Sequence, residues 1–350
     1  MWNVIGHERI VEALAHSVRE GKASHAYLFT GPQGIGKMTL AMQLACALNC
    51  VGEEKPCGAC AQCTRILARK HADVQVVAVG SDGEETHKEI SIKQIEALQE
   101  MANLAPFEGT HKVFIIENAE LLNVNAANRL LKTLEEPAER VCIIVLSREP
   151  AKLLPTVVSR CRVYDLRPVP EKMIAEALMK KHAIDKEKAR DLARLSEGRI
   201  GWAIAAAQNP AVEETRRDLV DEIVELVEAG YVERLYLAGR VAQDFSRKRE
   251  EVYDYLGLMR QFWRDVLLLK GGQPGAIVNA DRRDMLDRVA GALALPEIAG
   301  AVREVESAMA RLQLNANARL TLETFALNLP LIPAPAVAQE ATAESPAGQD

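Results

Sequence analysis

The chain has 350 residues, enough for two or three domains and a sizeable core. Its formal net charge of −6 and its 4% aromatic content argue against a free-standing nucleic-acid binder that relies on phosphate contacts or base stacking. No stretch has the length of a membrane-spanning helix, and Met1 to Gly6 lack the basic and apolar regions of a secretory signal, so a cytoplasmic protein with no membrane partner is expected.

In chain order, residues 8–21 read as an amphipathic helix, with Ile10, Val11, Leu14 and Val18 at helical spacing. Ala26 to Thr30 is a short apolar run, read as a buried strand, and it leads into Gly31-Pro32-Gln33-Gly34-Ile35-Gly36-Lys37. Helical stretches follow at 38–48 and 64–69, separated by a cysteine cluster. Further strands are expected at 74–79, 113–116, 141–146 and 162–166, with helices at 92–104 and 126–134 between them. Apolar strands alternating with helices predict an α/β domain with a five-stranded parallel sheet. Pro168 and Pro170 mark its end, so the first domain is expected over 1–168. Three short helices (171–182, 186–195, 200–208) predict a small domain over 169–209, and longer helices predict an all-α domain over 210–330. Residues 331–350, rich in Ala, Pro, Glu and Gln, are expected to form a disordered tail.

Four patterns carry chemistry. Gly31, Gly36 and Lys37 fit the phosphate-loop spacing G-x-x-x-x-G-K, with Gly34 inside the loop. Glycines let backbone N–H groups curl round phosphate oxygens at a helix N-terminus, and Lys37 would reach the terminal phosphates of ATP or ADP. The hydroxyl that holds Mg²⁺ should come next. Met38 stands there instead, and Thr39 would point about 100° away round the helix. The same residues can also form a glycine-rich turn with no ligand.

The strand ending at Ile116 runs into Glu117-Asn118-Ala119-Glu120, where ATPases of this type place Asp and then Glu. Glu117 could approach a metal, or it could be a solvated strand terminus. Asn118 cannot act as a general base, because its amide is neutral. Glu120 could substitute only along a different backbone path. Met38 and Asn118 together remove two parts needed for hydrolysis.

Seven cysteines occur, and Cys50, Cys57, Cys60 and Cys63 give C-x6-C-x2-C-x2-C. Two C-x2-C steps bring thiolates round one ion, and Gly58 permits the tight turn. Four sulfurs close a tetrahedral Zn²⁺ shell, which makes the site structural. The alternative is a set of free buried thiols, against which Glu53, Glu54, Lys55 and Gln62 weigh. Cys46, Cys142 and Cys161 lie in apolar contexts and read as core. Finally, Ser159-Arg160-Cys161 precedes the last strand. An arginine at a sheet edge can reach a neighbouring subunit's nucleotide, or it can simply be solvated.

The stretch His25 to Phe29, the loop Gly31 to Lys37, the four cysteines, Ala126 to Pro137 and Ser159-Arg160-Cys161 together resemble the bacterial clamp-loader AAA+ proteins. The likeness covers roughly residues 1–205. Leu314 to Glu323 is similar to the end of that family's collar domain. The resemblance implies an AAA+ domain, a small helical lid and a helical oligomerisation collar. It also implies assembly with gamma/tau and delta subunits, which load the sliding clamp on primer–template DNA. Arg160 falls at the family's trans arginine finger, Ser147 at the sensor-1 place and Arg199 near sensor 2. Gamma-type members carry Lys-Thr and Asp-Glu where this chain has Lys37-Met38 and Glu117-Asn118. The departures therefore predict a member with absent or weak ATPase of its own. The alternative is a gamma/tau-like ATPase with a divergent site.

Overall fold

The computed structural model describes residues 2–80, 89–148, 150–245, 248–314 and 316–332. Apart from Leu331 and Ile332, the expected tail lies outside the described residues. The chain divides into two compact units, Met1–Asn209 and Pro210–Asp350.

The first unit is built on β1 (Ala26–Thr30), β2 (Val74–Val77), β3 (Lys112–Ile116), β4 (Val141–Ser147) and β5 (Arg162–Asp165). Among the described residues they form one five-stranded sheet in the order β2-β3-β4-β1-β5, and each pairing is parallel. The fold class therefore agrees with the sequence expectation. Every residue of β1, β3 and β4 is buried, because both faces of the sheet are covered.

Alternation along the strands splits the core in two. Tyr27, Phe29, Val113, Ile115, Ile144 and Leu146 pack with Leu14, Leu40 and Leu44 from α1 (Glu8–Arg19) and α2 (Lys37–Asn49), and with Ile66 from α3 (Ala61–Leu67). Leu28, Phe114, Ile116, Ile143 and Val145 face Leu98 of α4 (Ile92–Ala102), Leu130 and Leu134 of α5 (Val124–Glu135) and Val157 of the one-turn α6 (Pro155–Val158).

Several element ends differ by a few residues from the sequence expectation, two of them for local reasons. α1 stops at Arg19, because Gly21, at φ 64°, turns the chain so that Gly21 N–H bonds to Val18 and Lys22 N–H to Ser17. β2 stops at Val77, and the next carbonyl, Ala78, accepts the side-chain amide of Gln94 at the head of α4. Three short helices complete the unit: α7 (Glu171–His182), α8 (Lys186–Leu195) and α9 (Ile200–Gln208). They bury Ile174, Leu178, Leu192, Ile200 and Ala203.

The second unit is helical among its described residues: α10 (Pro210–Glu228), α11 (Tyr231–Phe245), α12 (Arg249–Lys270), α13 (Arg283–Ala292), α14 (Leu295–Gln313) and α15 (Ala318–Asn328). Its core gathers round Leu256, Met259, Phe262, Trp263 and Leu286. Arg234 of α11 is fully buried in this unit. Its guanidinium donates to the carbonyls of Leu226 (3.2 Å), Val227 (2.8 Å), Ala326 (3.4 Å), Leu329 (2.6 Å) and Pro330 (2.8 Å). Those acceptors lie at the C-terminal ends of α10 and α15, where unpaired carbonyls concentrate negative charge.

Candidate functional site

The strand order places the C-terminal ends of β3, β4 and β1 side by side, and the loops that leave them share a crevice, as open parallel sheets require. A cavity of about 210 Å³ opens there. It is lined by Gly34, Gly36, Lys37, Thr39 and Glu117 from the expected set, together with Met38, Asn118 and Arg148. This is smaller than the ~300 Å³ at which small-molecule pockets usually begin. Gly31 serves the loop from below, since a side chain there would come within 2.5 Å of the Leu166 carbonyl oxygen.

Lys37 opens α2 with its side chain buried. Its ammonium donates to the carbonyls of Gly31 (2.5 Å) and Pro32 (2.9 Å), and so ties the loop to itself. Burial pulls its pKa down to about 8, against the opposing pull of Glu120. Glu120 is there because Asn118 takes a left-handed conformation (φ 50°, ψ 54°), which asparagine tolerates, and a single 3-10 turn over Ala119–Leu121 follows.

The Glu120 side chain is only 7% exposed and is matched by Arg148, whose backbone N–H donates to Oε1 at 3.3 Å while Nε lies 3.7 Å away. Arg148 also donates from Nη1 to Oε1 of Gln33 in the loop, at 2.6 Å. Two cations, Lys37 and Arg148, therefore stand with two carboxylates, Glu117 and Glu120, around the loop. Arg148 was not singled out in the sequence. Its only signal there is its place directly after the strand that carries Ser147.

Helix α9 presses on the same loop. The N–H of Gly201 donates to the Gly34 carbonyl at 2.6 Å, and a side chain at Gly201 would come within 2.9 Å of that oxygen. Arg199, just before the helix, folds back so that Nε donates to the Ser196 carbonyl at 3.0 Å, with its guanidinium 6.0 Å from the Trp202 ring centre. Ser147 is fully buried at the end of β4, paired in register with Thr30 of β1.

The four sulfurs of Cys50, Cys57, Cys60 and Cys63 all lie within 4.8 Å of one another. The Cys50 and Cys60 Sγ atoms are 3.9 Å apart, close to the ~3.8 Å edge of a tetrahedral zinc–sulfur shell. Backbone N–H groups point at the sulfurs: Gly52 and Cys57 donate to Cys50, Cys60 to Cys57 and Cys63 to Cys60, at 3.3–3.5 Å. Gly58, at φ 74°, makes the turn between the second and third cysteines. Burial raises the pKa of the Cys60 thiol, but N–H donors from Cys63 and Val51 outweigh it and bring it to about 6. Burial holds Cys46 up at about 11 and Cys142 at about 12, as core thiols. The cluster thus has the donor set and spacing to hold one metal ion.

Arg160 lies away from the cavity, between α6 and β5. Its Nη1 donates to the Thr156 carbonyl at 2.9 Å and approaches Ser159 Oγ at 3.5 Å. Its Nη2 is 2.5 Å from Oε1 of Glu135, and about a third of the side chain is exposed. The arginine belongs to the surface of the unit and not to its own phosphate loop.

A parallel α/β unit with a glycine-rich loop between β1 and α2 and an inserted four-cysteine knuckle has the build of a nucleotide-type domain. Residues 6–170, just under half of the chain, match the family described as DNA polymerase III, delta subunit. DNA polymerase III subunit delta' of Bacillus subtilis is 28% identical over 92% of this chain and 95% of its own length. DNA polymerase III subunit tau of the same organism is 30% identical over 79% of this chain, which spans only 47% of that longer protein. A gamma-subunit-related protein from Thermotoga maritima has a TM-score of 0.44 at 17% identity, over 89% of this chain and 97% of its own. The chain is thus similar to DNA polymerase III subunits of the delta-prime and tau types, and the delta-prime match runs over nearly the whole of both chains. Among the described residues, no helix is long and apolar enough to cross a membrane.

Proposed function

We propose that the chain is a clamp-loader subunit without ATP turnover of its own, which supplies Arg160 to the ATP site of an adjacent gamma-type subunit. In this reading it assembles with gamma/tau and delta subunits, and the assembly opens the sliding clamp and sets it on primer–template DNA. Residues 169–209 act as the lid over the phosphate loop, and residues 210–330 act as the collar. Cys50, Cys57, Cys60 and Cys63 hold one zinc ion, whose closed sulfur shell stabilises the knuckle and takes no part in chemistry. ATP or ADP in this chain's own loop would meet Gly34, Gly36 and Lys37, with Thr39 and Glu117 as the nearest oxygen ligands for Mg²⁺.

One observation carries the reading. Glu120, the carboxylate that would have to replace a catalytic base, is buried, with its Oε1 turned to Arg148. A water-activating base must be within reach of water and free to accept its proton. Arg160, by contrast, is partly exposed on a surface turn. An arginine brought to a neighbour's γ-phosphate stabilises the charge that spreads over its oxygens in the transition state, an effect worth roughly 10³–10⁵ in rate where it has been measured.

The test is reconstitution with gamma-type and delta partners, followed by DNA-stimulated ATPase measurements. The purified chain alone is expected to turn over little ATP. Arg160→Ala is expected to slow the assembled loader by about tenfold or more while leaving assembly intact. Normal turnover with Arg160→Ala, or strong ATPase of the lone chain that Lys37→Ala abolishes, would overturn the proposal.

A further inference from the structure

Three stretches that stand far apart in the sequence meet at one place. His25 precedes β1, Leu134 and Glu135 close α5, and Arg160 follows α6. His25 Nε2 donates to the Leu134 carbonyl at 3.1 Å and fixes the end of α5 against the start of β1. Glu136 N–H bonds back to the Lys132 carbonyl, and Pro137 stops the helix there. Leu134 and Val157 share one core cluster, so α5 and α6 are held to each other beneath the pair they present. Glu135, placed in this way, meets Arg160 Nη2 at 2.5 Å.

We infer that Glu135 is the positioning residue for Arg160. This rests on the reading of Arg160 as a finger acting in trans. Arginine has a long, flexible side chain, and a finger that must be ordered at each encounter loses rate to misplacement. Glu135 holds one edge of the guanidinium, and the Thr156 carbonyl and Ser159 hydroxyl hold the other. These three contacts use three of its five N–H donors and leave two for the oxygens of a phosphate. The carboxylate also balances the cation before a partner arrives. His25 acts one step further back, by fixing the backbone that carries Glu135.

The experiment uses the reconstituted loader with four versions of this chain: Arg160→Ala, Glu135→Ala, Glu135→Gln and the double alanine variant. kcat and KM for ATP are read from DNA-stimulated hydrolysis. Arg160→Ala should lower kcat by about tenfold or more. Glu135→Ala should lower kcat by about three- to tenfold, with KM changed less than about twofold, because orientation is lost and binding is not. Glu135→Gln should fall between Glu135→Ala and wild type, since its amide oxygen still accepts from Arg160. The double variant should match Arg160→Ala alone, because the two residues act as one unit. Unchanged kcat in Glu135→Ala beside a slow Arg160→Ala overturns the inference and spares the trans reading. A further loss in the double variant also overturns it, since Glu135 would then act independently. Unchanged kcat in Arg160→Ala overturns both. If the alanine variant fails to assemble, Glu135→Gln decides by the same criteria.

Discussion

At the scale of single residues, the phosphate loop contains its own counter-charges. Lys37 bonds to carbonyls of the loop, and Arg148 bridges Gln33 and Glu120. Burial lowers the Lys37 pKa from an ordinary 10.5 to about 8. A lysine with a lowered pKa binds fewer protons folded than unfolded between those two values. Its contribution to stability therefore rises with pH through that window, as the penalty on its charged form is relieved. Stability of wild type minus that of Lys37→Met, from urea unfolding at pH 7.5 and pH 10, should accordingly increase with pH. A flat difference would mean that the ammonium is better solvated than its burial implies. Little of this was legible beforehand. Gly31, Gly36 and Lys37 announce the loop by spacing alone, and Met38 and Asn118 announce its divergence. The pairing of Glu120 with Arg148 depends on a left-handed Asn118 and on the adjacency of β3 and β4, and one-dimensional spacing records neither.

At the scale of elements, the cysteine knuckle was the most readable feature, because all four ligands are close in sequence and metal geometry restricts their arrangement. Its mechanical role was not readable. Helix α3, which begins beside Cys60, carries Gln62 and Arg65 to Glu108, in the loop before β3. Asp73 collects the N–H groups of Phe107, Glu108 and Gly109 in that loop, and these donors hold its carboxyl below the usual range in spite of burial. Stripping the metal should therefore loosen more than the knuckle. Metal analysis is expected to find about one zinc per chain, consistent with a single closed shell. Chelation, or Cys60→Ser, should cost about 2 kcal/mol or more, roughly 5 °C in Tm for a unit of this size. Hydrogen exchange should speed up at Phe107, Glu108 and Gly109. Protection unchanged there after metal loss would show that Asp73 alone holds the loop.

At the scale of the whole molecule, each unit is closed by contacts between its distant ends. In the second unit the closing group is Arg234, whose five donors join the end of α10 to the end of α15 and the residues just beyond it. Nothing in Glu233-Arg234-Leu235 marks this role in the sequence, because a charge gives no sign of burial until the fold surrounds it. Arg234→Met removes hydrogen bonds from several buried carbonyls at once. It should destabilise the second unit by about 3 kcal/mol or more, seen as a lower denaturant midpoint. A shift within about 0.5 kcal/mol would show that water replaces the guanidinium there. In the first unit the closing group is the sheet itself. β1 carries the phosphate loop, yet its two neighbours are β4 and β5, so Ala26 pairs with Ile143 and Tyr27 with Arg162. During synthesis the strand that leaves the ribosome first must wait for its last partners, with its apolar residues unpaired through more than a hundred further residues. Pairings of such long sequence separation form late. The knuckle, with its ligands between residues 50 and 63, can close early in the nascent chain, while the loop after β1 takes its final shape only when β5 has emerged.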